Sequence, residues 1–240
     1  MTTMGKSCHI IWYDETDSTN SEAVRRLGEL DNMSVIAARC QTAGRGKDRR
    51  KWLSAPGENL TFTIVQKYST HGGETSFLSR GTHGNEPWPP FPAAFQMLIS
   101  AAAAAGVVRF LAESGICAWV KWPNDVYVDS RKICGILIEH RTDGRRLNAS
   151  IIGIGINLNQ TEFPPELVNP VSVASLTGKK FDPEACLERF CEIFVSRMES
   201  VYRELPHLGD VISRTFALED GTSGDENLRS CFAQCVNVLL

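Results

Sequence analysis

The sequence predicts an α+β domain in which a mixed β-sheet is flanked by helices. Three observations carry this. Short β-like segments crowd residues 117–159 with little more than turn residues between them. From Phe91 to Val108 the chain is uncharged and mostly apolar, which suits a buried helix better than an exposed one. Further on, Leu187, Phe190, Phe194, Met198, Val201 and Tyr202 fall on one helical face. Strands and helices do not alternate regularly, so the layout is α+β rather than a chain of βαβ units.

The elements follow in order. His9–Tyr13 reads as a first strand. Thr19-x-x-Glu22 has the form of a capping box, and Ala23, Leu27 and Leu30 line one side of the helix behind it. Residues 34–40 form a second strand that runs into a glycine-rich basic loop. In 59–67, Leu60, Phe62 and Ile64 alternate with threonines, the pattern of a half-buried strand. Residues 69–92, rich in Gly, Pro, His and Thr, break the pattern and read as a mobile surface insertion. A long buried helix is expected over Ala93–Glu113, weakened at Gly106. Strands follow at 117–122, 126–128, 133–141 and 149–159. Asp182 is a good N-cap with Pro183 at the first helical position. The last twenty residues begin as a turn and end apolar, and pattern alone assigns them no element. There is no internal repeat.

The chain has 240 residues, 42% hydrophobic and 22% charged, with a formal net charge of -3. That balance argues against a dedicated nucleic-acid binder, which usually carries a basic excess. Eight cysteines occur without a Cys-x-x-Cys pair, so reduced thiols are expected rather than a zinc site. The N-terminus has no long apolar core, and the apolar run at Phe91–Val108 carries Pro, Gln and Ser before Arg109 ends it. A soluble, cytoplasmic protein is expected, with no membrane and no nucleic acid among its partners.

Four constellations carry chemistry. In GRGKDRRKW, from Gly44 to Trp52, glycines allow close backbone approach. Arg45, Lys47, Arg49, Arg50 and Lys51 offer charge for phosphates. The loop lacks the GK[ST] of a P-loop. By itself it reads equally as a sorting or RNA patch, or as a solvated turn. In KWPNDVYVDSRK, Asn124 and Asp125 follow a rigid Trp-Pro, and Lys121 and Lys132 flank the carboxylate. The bland reading is turn chemistry; the sharper one is a carboxylate that orients an attacking amine. DSTN, with Ser18, Thr19 and Asn20, is a helix cap that could also bind a polar head group. In GIGINLN, glycines within a strand point to a close approach by a ligand or another backbone. The spacing is not that of a dinucleotide fold.

In this order DSTN, QTAGRGKDRRKW, KWPNDVYVDSRKICGILIE and GIGINLN resemble the catalytic domain of biotin protein ligases, over about residues 10–205. The resemblance implies the biotinyl/lipoyl ligase fold, with a largely antiparallel sheet. It implies ATP and Mg2+ as cofactors, biotin as substrate, and a carrier domain of acetyl-CoA carboxylase or a related carboxylase as protein partner. No side chain is assigned to the metal, and a homodimer stays open. Ser18, Thr19, Asn20 and Gln41 would hold the biotin rings. Gly44, Arg45, Gly46 and Lys47 would close over carboxylate and phosphate. Lys132 would bind the reacting oxygens, with Lys121 a further phosphate partner. Asn124 and Asp125 would stand by the reacting centre, Asp125 positioning the incoming lysine. Gly135, Gly155 and Asn157 would border the ligand. Trp52 and Trp122 fit either the ligand's rings or the core. Catalysis would thus rest on Lys132, Asp125, Arg45 and Lys121.

Some features depart from the family. Lys47 stands where an arginine is common. Asp48 dilutes the basic run. No helix-turn-helix precedes residue 10. Residues 206–240 are expected to be a short tail rather than the family's small C-terminal domain. The alternatives are a lipoate ligase or lipoyl transferase of the same fold, a non-catalytic biotin binder, or a nucleic-acid-binding regulatory module.

Overall fold

The structure is a computed structural model that describes residues 8–69, 86–217 and 224–240. The chain runs β1 (His9–Thr16), α1 (Thr19–Arg25), β2 (Ser34–Gln41), β3 (Leu60–Lys67), β4 (Phe91–Pro92) and α2 (Met97–Ala112). It continues through β5 (Trp119–Lys121), β6 (Asp125–Val128), β7 (Arg131–Thr142), β8 (Arg146–Ile156), α3 (Val173–Thr177), α4 (Pro183–Ala217) and α5 (Gly224–Leu239). The sheet order is β1-β2-β3-β8-β7-β6-β5, with β4 pairing β8. Among the described strands β1 and β2 pair in parallel and the other pairs are antiparallel. The expected mixed, largely antiparallel sheet with flanking helices is therefore present.

Alternation along the central strands sets the two faces. Leu60, Phe62 and Ile64 of β3 and Ile152, Ile154 and Ile156 of β8 point into the large core, which α2 and α4 close. On the other face α1 covers a smaller cluster of Ala23, Leu30, Ile36, Val65 and Ile151. The threonine face of β3 is thus not solvated as its pattern suggested: Thr61 and Thr63 are buried. Thr63 lies beneath α1, bonded to Thr19 and Asn20, and Thr61 lines the cleft described below.

The helix expected from Ala93 begins with one 3-10 turn, Ala93–Phe95, and continues as α2. By length and composition, Ala93–Ala112 is the one helical stretch among the described residues apolar enough to cross a membrane. Its alanines, Ala101–Ala105, are wholly buried here, and α4 and α5 pack against it. Small side chains let helices approach closely. Gly106 meets the Phe190 ring of α4.

The middle of the expected insertion, residues 70–85, lies outside the described residues. Its far end is core, not surface. Trp88 is buried and stacks on Tyr202 with ring centroids 5.2 Å apart, and Phe91 pairs with Leu147 in the sheet. At α4 the Asp182 carboxylate accepts from Glu184 N at 3.0 Å, as the sequence predicted for a cap before Pro183. Beyond residue 205, α4 continues to Ala217. The apolar end of the chain forms α5, whose Cys231, Phe232, Cys235, Val236 and Leu239 enter the same core.

Candidate functional site

On the α1 face the sheet opens into a cleft of about 290 Å³. Its floor is glycine. A Cβ at Gly153 would stand 2.0 Å from Asn20 Oδ1, and one at Gly155 would stand 2.4 Å from the Trp52 ring. No larger residue fits at either position without displacing what lies above it. This close approach is what the glycines of GIGINLN suggested.

The polar end is built from the chain reversal between β1 and α1. Ser18, not Thr19, is the N-cap residue, and its side chain makes no cap bond. The capping box expected at Thr19-x-x-Glu22 is therefore not formed. Glu22, its proposed acidic partner, instead accepts from the Tyr13 hydroxyl at 3.0 Å and from Arg25. Thr19 donates its backbone N–H to Gln41 Oε1 at 2.8 Å, joining α1 to the end of β2. Asn20 is pinned on every side. Its Nδ2 donates to Leu137 O at 3.2 Å and Glu139 Oε2 at 3.1 Å, while its Oδ1 accepts from the Thr63 hydroxyl at 2.6 Å.

The basic loop is a small hairpin over the cleft. Arg45 and Lys51 bridge, Trp52 N donates to Gly44 O at 2.9 Å, and Gly46 N donates to Arg50 O at 2.7 Å. At its tip Asp48 has φ 56°, a left-handed conformation that aspartate tolerates better than most residues. The hairpin's last residue, Trp52, lies across Gly135 and Gly155, and its Nε1–H is buried without a partner.

The charged end comes from β6 and β7. Lys132 Nζ stands 2.8 Å from Asp125 Oδ1, with the two side chains 29% and 17% exposed. Asn124 fixes the turn before Asp125: its carbonyl accepts from Ile136 N at 2.8 Å and its Nδ2 donates to Ile136 O at 3.1 Å. Asn157 is buried and donates to Val171 O at 3.1 Å, bracing the segment whose Asn169 and Val171 bond the Lys132 backbone.

Most of the residues expected from sequence meet in this cleft. Ser18, Thr19, Asn20, Gln41, Arg45, Gly46, Lys47, Asn124, Asp125, Lys132, Gly135, Gly155 and Asn157 all line it. Two residues do not. Gly44 sits at the hairpin's base, where a Cβ would strike Trp52 O. The Lys121 ammonium lies 4.8 Å from the Tyr127 ring centroid, outside the lining. Trp52 lines the cleft, whereas Trp122 packs edge-on against Phe232 of α5. Sequence reasoning missed Thr63, Tyr127 and Glu139. For Glu139 the signal was a lone acid closing the apolar run GILIE.

Arg45 gives Glu139 two hydrogen bonds, Nη1 to Oε2 at 3.1 Å and Nη2 to Oε1 at 2.9 Å. Burial pushes the Glu139 carboxyl up, but the bonds from Arg45 and Asn20 outweigh it and hold the group below the usual carboxylate range. Among the described residues no three His, Cys, Asp or Glu side chains cluster as metal ligands.

The Biotin/lipoate A/B protein ligase family model matches residues 12–157. A biotin--[acetyl-CoA-carboxylase] ligase of Paracoccus denitrificans is 33% identical over 183 residues, which is 75% of this chain and 68% of that protein. The bifunctional ligase/repressor BirA of Bacillus subtilis is 30% identical over 198 residues, and there the chain spans about half of the relative, 53%. Among solved structures, biotin protein ligase from Aquifex aeolicus in complex with biotin and ATP matches with a TM-score of 0.63 and 26% identity. That match covers 80% of this chain and 71% of that one. Family model, relatives and fold agree, and the chain belongs to the biotin/lipoate A/B protein ligase family.

Proposed function

We propose that this chain is an ATP-dependent biotin protein ligase. The observation that carries the reading is the cleft itself, which brings three kinds of group together. A hydrogen-bonding end is lined by Ser18, Thr19, Asn20 and Gln41. A cationic hairpin carries Arg45 and Lys47. An ion pair joins Lys132 and Asp125.

The chemistry follows in two steps. In the first, a biotin carboxylate oxygen attacks the α-phosphorus of ATP, the bond to the β,γ-phosphates breaks, and pyrophosphate leaves. An anion must approach a polyanion here, so fixed cations are the first requirement. Arg45, Lys47 and Lys132 supply them. In the second step, an uncharged lysine amine of a carboxyl carrier domain attacks the activated carbonyl, and AMP leaves. Asp125, a carboxylate that lines the cleft, would orient that amine or take its proton. Trp52 Nε1–H, buried and unpartnered, offers a donor to a polar ligand atom.

The described side chains do not fit a resident magnesium site. Asp125 is alone in the cleft and already tied to Lys132. Magnesium belongs here as the counter-ion that ATP brings. All eight cysteines are free, which suits a reducing cytoplasm.

Biotin-dependent exchange of labelled pyrophosphate into ATP tests the reading. The expected result is exchange with biotin, none without it, and transfer of biotin to a carrier domain. Exchange driven by lipoate and not by biotin would move the chain to the lipoate branch. Biotin binding without exchange would leave only a binder.

A further inference from the structure

We infer that Glu139 is a positioning residue for the adenylating step and acts through Arg45. The inference rests on the ligase reading above. Glu139 projects from β7 but is not part of the cleft lining. Its carboxylate accepts both Arg45 Nη groups and the Nδ2 of Asn20. One acid therefore ties the turn that begins α1 to the basic hairpin.

The geometry matters for two reasons. A fork-to-fork pair fixes the plane of a guanidinium, where a single contact would leave it free to rotate. Two of the five N–H groups of Arg45 are used, and three remain for an incoming anion. An arginine on a glycine-flanked hairpin would otherwise surrender its rotamer freedom when phosphate arrives. The pair sets the orientation beforehand. Glu139 also offsets charge where Arg45, Lys47, Arg50 and Lys51 are gathered at the cleft. The Asn20 end differs: Leu137 O and the Thr63 hydroxyl still hold that amide when Glu139 is lost.

A positioning role differs from a plain structural brace in where the damage falls. Glu139→Gln keeps the shape but presents one acceptor in place of two. Its kcat for pyrophosphate exchange should fall about tenfold or more, while biotin affinity by calorimetry shifts less than about threefold. Arg45→Lys should cost about tenfold or more in the wild-type background and under about threefold beside Glu139→Gln, because the fork is already lost. Glu139→Asp keeps the charge and should recover part of the rate; it replaces Gln in the cycle if the latter unfolds. Equal losses from Arg45→Lys in both backgrounds, or an unchanged kcat in Glu139→Gln, overturn the inference. A wild-type protein without biotin-dependent exchange sinks the ligase reading itself, which is a different outcome.

Discussion

Lys132 and Asp125 meet at 2.8 Å because a β-bulge turns the lysine into the cleft. Asp125 pairs with Gly135, but the register between β6 and β7 slips after Val126, so that Tyr127 pairs with Lys132 rather than Ile133. Ile133 and Cys134 both stay in the core, and Lys132 emerges on the side of Asp125 and Gly135. Bulges commonly re-aim a side chain beside an active site.

Lys132→Ala is therefore expected to lower biotin-dependent pyrophosphate exchange about a hundredfold or more, the usual cost of removing one preorganised donor from developing charge. Asp125→Asn should act later. It is expected to spare exchange more than it spares biotin transfer to a carrier domain, since its proposed partner is the amine. Single-turnover assays of the two half-reactions separate these outcomes; a variant Lys132→Ala with normal exchange would remove Lys132 from the mechanism.

Glycine substitutions should sort by what lies above each position. Gly155→Ala places a methyl 2.4 Å from the Trp52 ring, and Gly153→Ala places one 2.0 Å from Asn20 Oδ1. Each is expected to destabilise by about 1–3 kcal/mol through overpacking and to weaken biotin binding. Gly28→Ala meets nothing within 4 Å. It should leave both properties unchanged or raise stability slightly. Denaturant midpoints and calorimetry on the three variants check the ranking.

Lys47 lines the cleft from the hairpin and keeps a positive charge without the planar fork of arginine. Lys47→Arg is expected to slow release of biotinyl-adenylate several-fold while changing the biotin affinity little. Stopped-flow release from preformed enzyme–adenylate measures this directly. An unchanged off-rate would place Lys47 in solvent.

His140 gives a pH signature independent of catalysis. Its Nδ1 lies 2.8 Å from the Ser150 hydroxyl, and burial lowers its pKa to about 4. Between that value and the ordinary one near 6.5, the unfolded chain binds the proton and the folded one does not. Stability should therefore fall as pH drops through that window and level off below it. His140→Asn, which keeps a short polar side chain without the titration, should show a smaller difference between pH 7 and pH 4.5 in urea unfolding. An identical pH dependence would exclude His140 as its source.

The motifs were legible because each has its own chemistry in contiguous residues: DSTN, the GRG loop and KWPND with the lysine seven residues after Asp125. Long-range features were not. Thr63 sits in a strand whose alternation suggested solvent, and only the fold places α1 over it. The bulge that aims Lys132 shows locally only as two adjacent buried residues, Ile133 and Cys134, inside an already apolar run. At the C-terminus Cys231, Phe232, Cys235, Val236 and Leu239 do make a helical stripe. The surrounding Ser, Asn and Gln dilute it, and its value comes from α2 and α4, which no local pattern shows.

That C-terminal helix reaches toward the site where Phe232 meets Trp122. Phe232 is 2% exposed and meets the Trp122 ring edge-on, with centroids 4.7 Å apart. Trp122 leads directly into Pro123, Asn124 and Asp125. Removing the Phe232 ring leaves a cavity in a close-packed core, and Phe→Ala changes of this kind cost about 3–5 kcal/mol. Part of that loss should appear as slack in the turn that holds Asn124 and Asp125. Phe232→Ala is thus expected to lower both the unfolding midpoint and the exchange rate, whereas Phe232→Leu, which keeps most of the volume, should restore the rate nearly in full. Denaturant unfolding and exchange kinetics on the same preparations decide it. A stable Phe232→Ala variant with wild-type exchange would show that α5 supports neither the core nor the site.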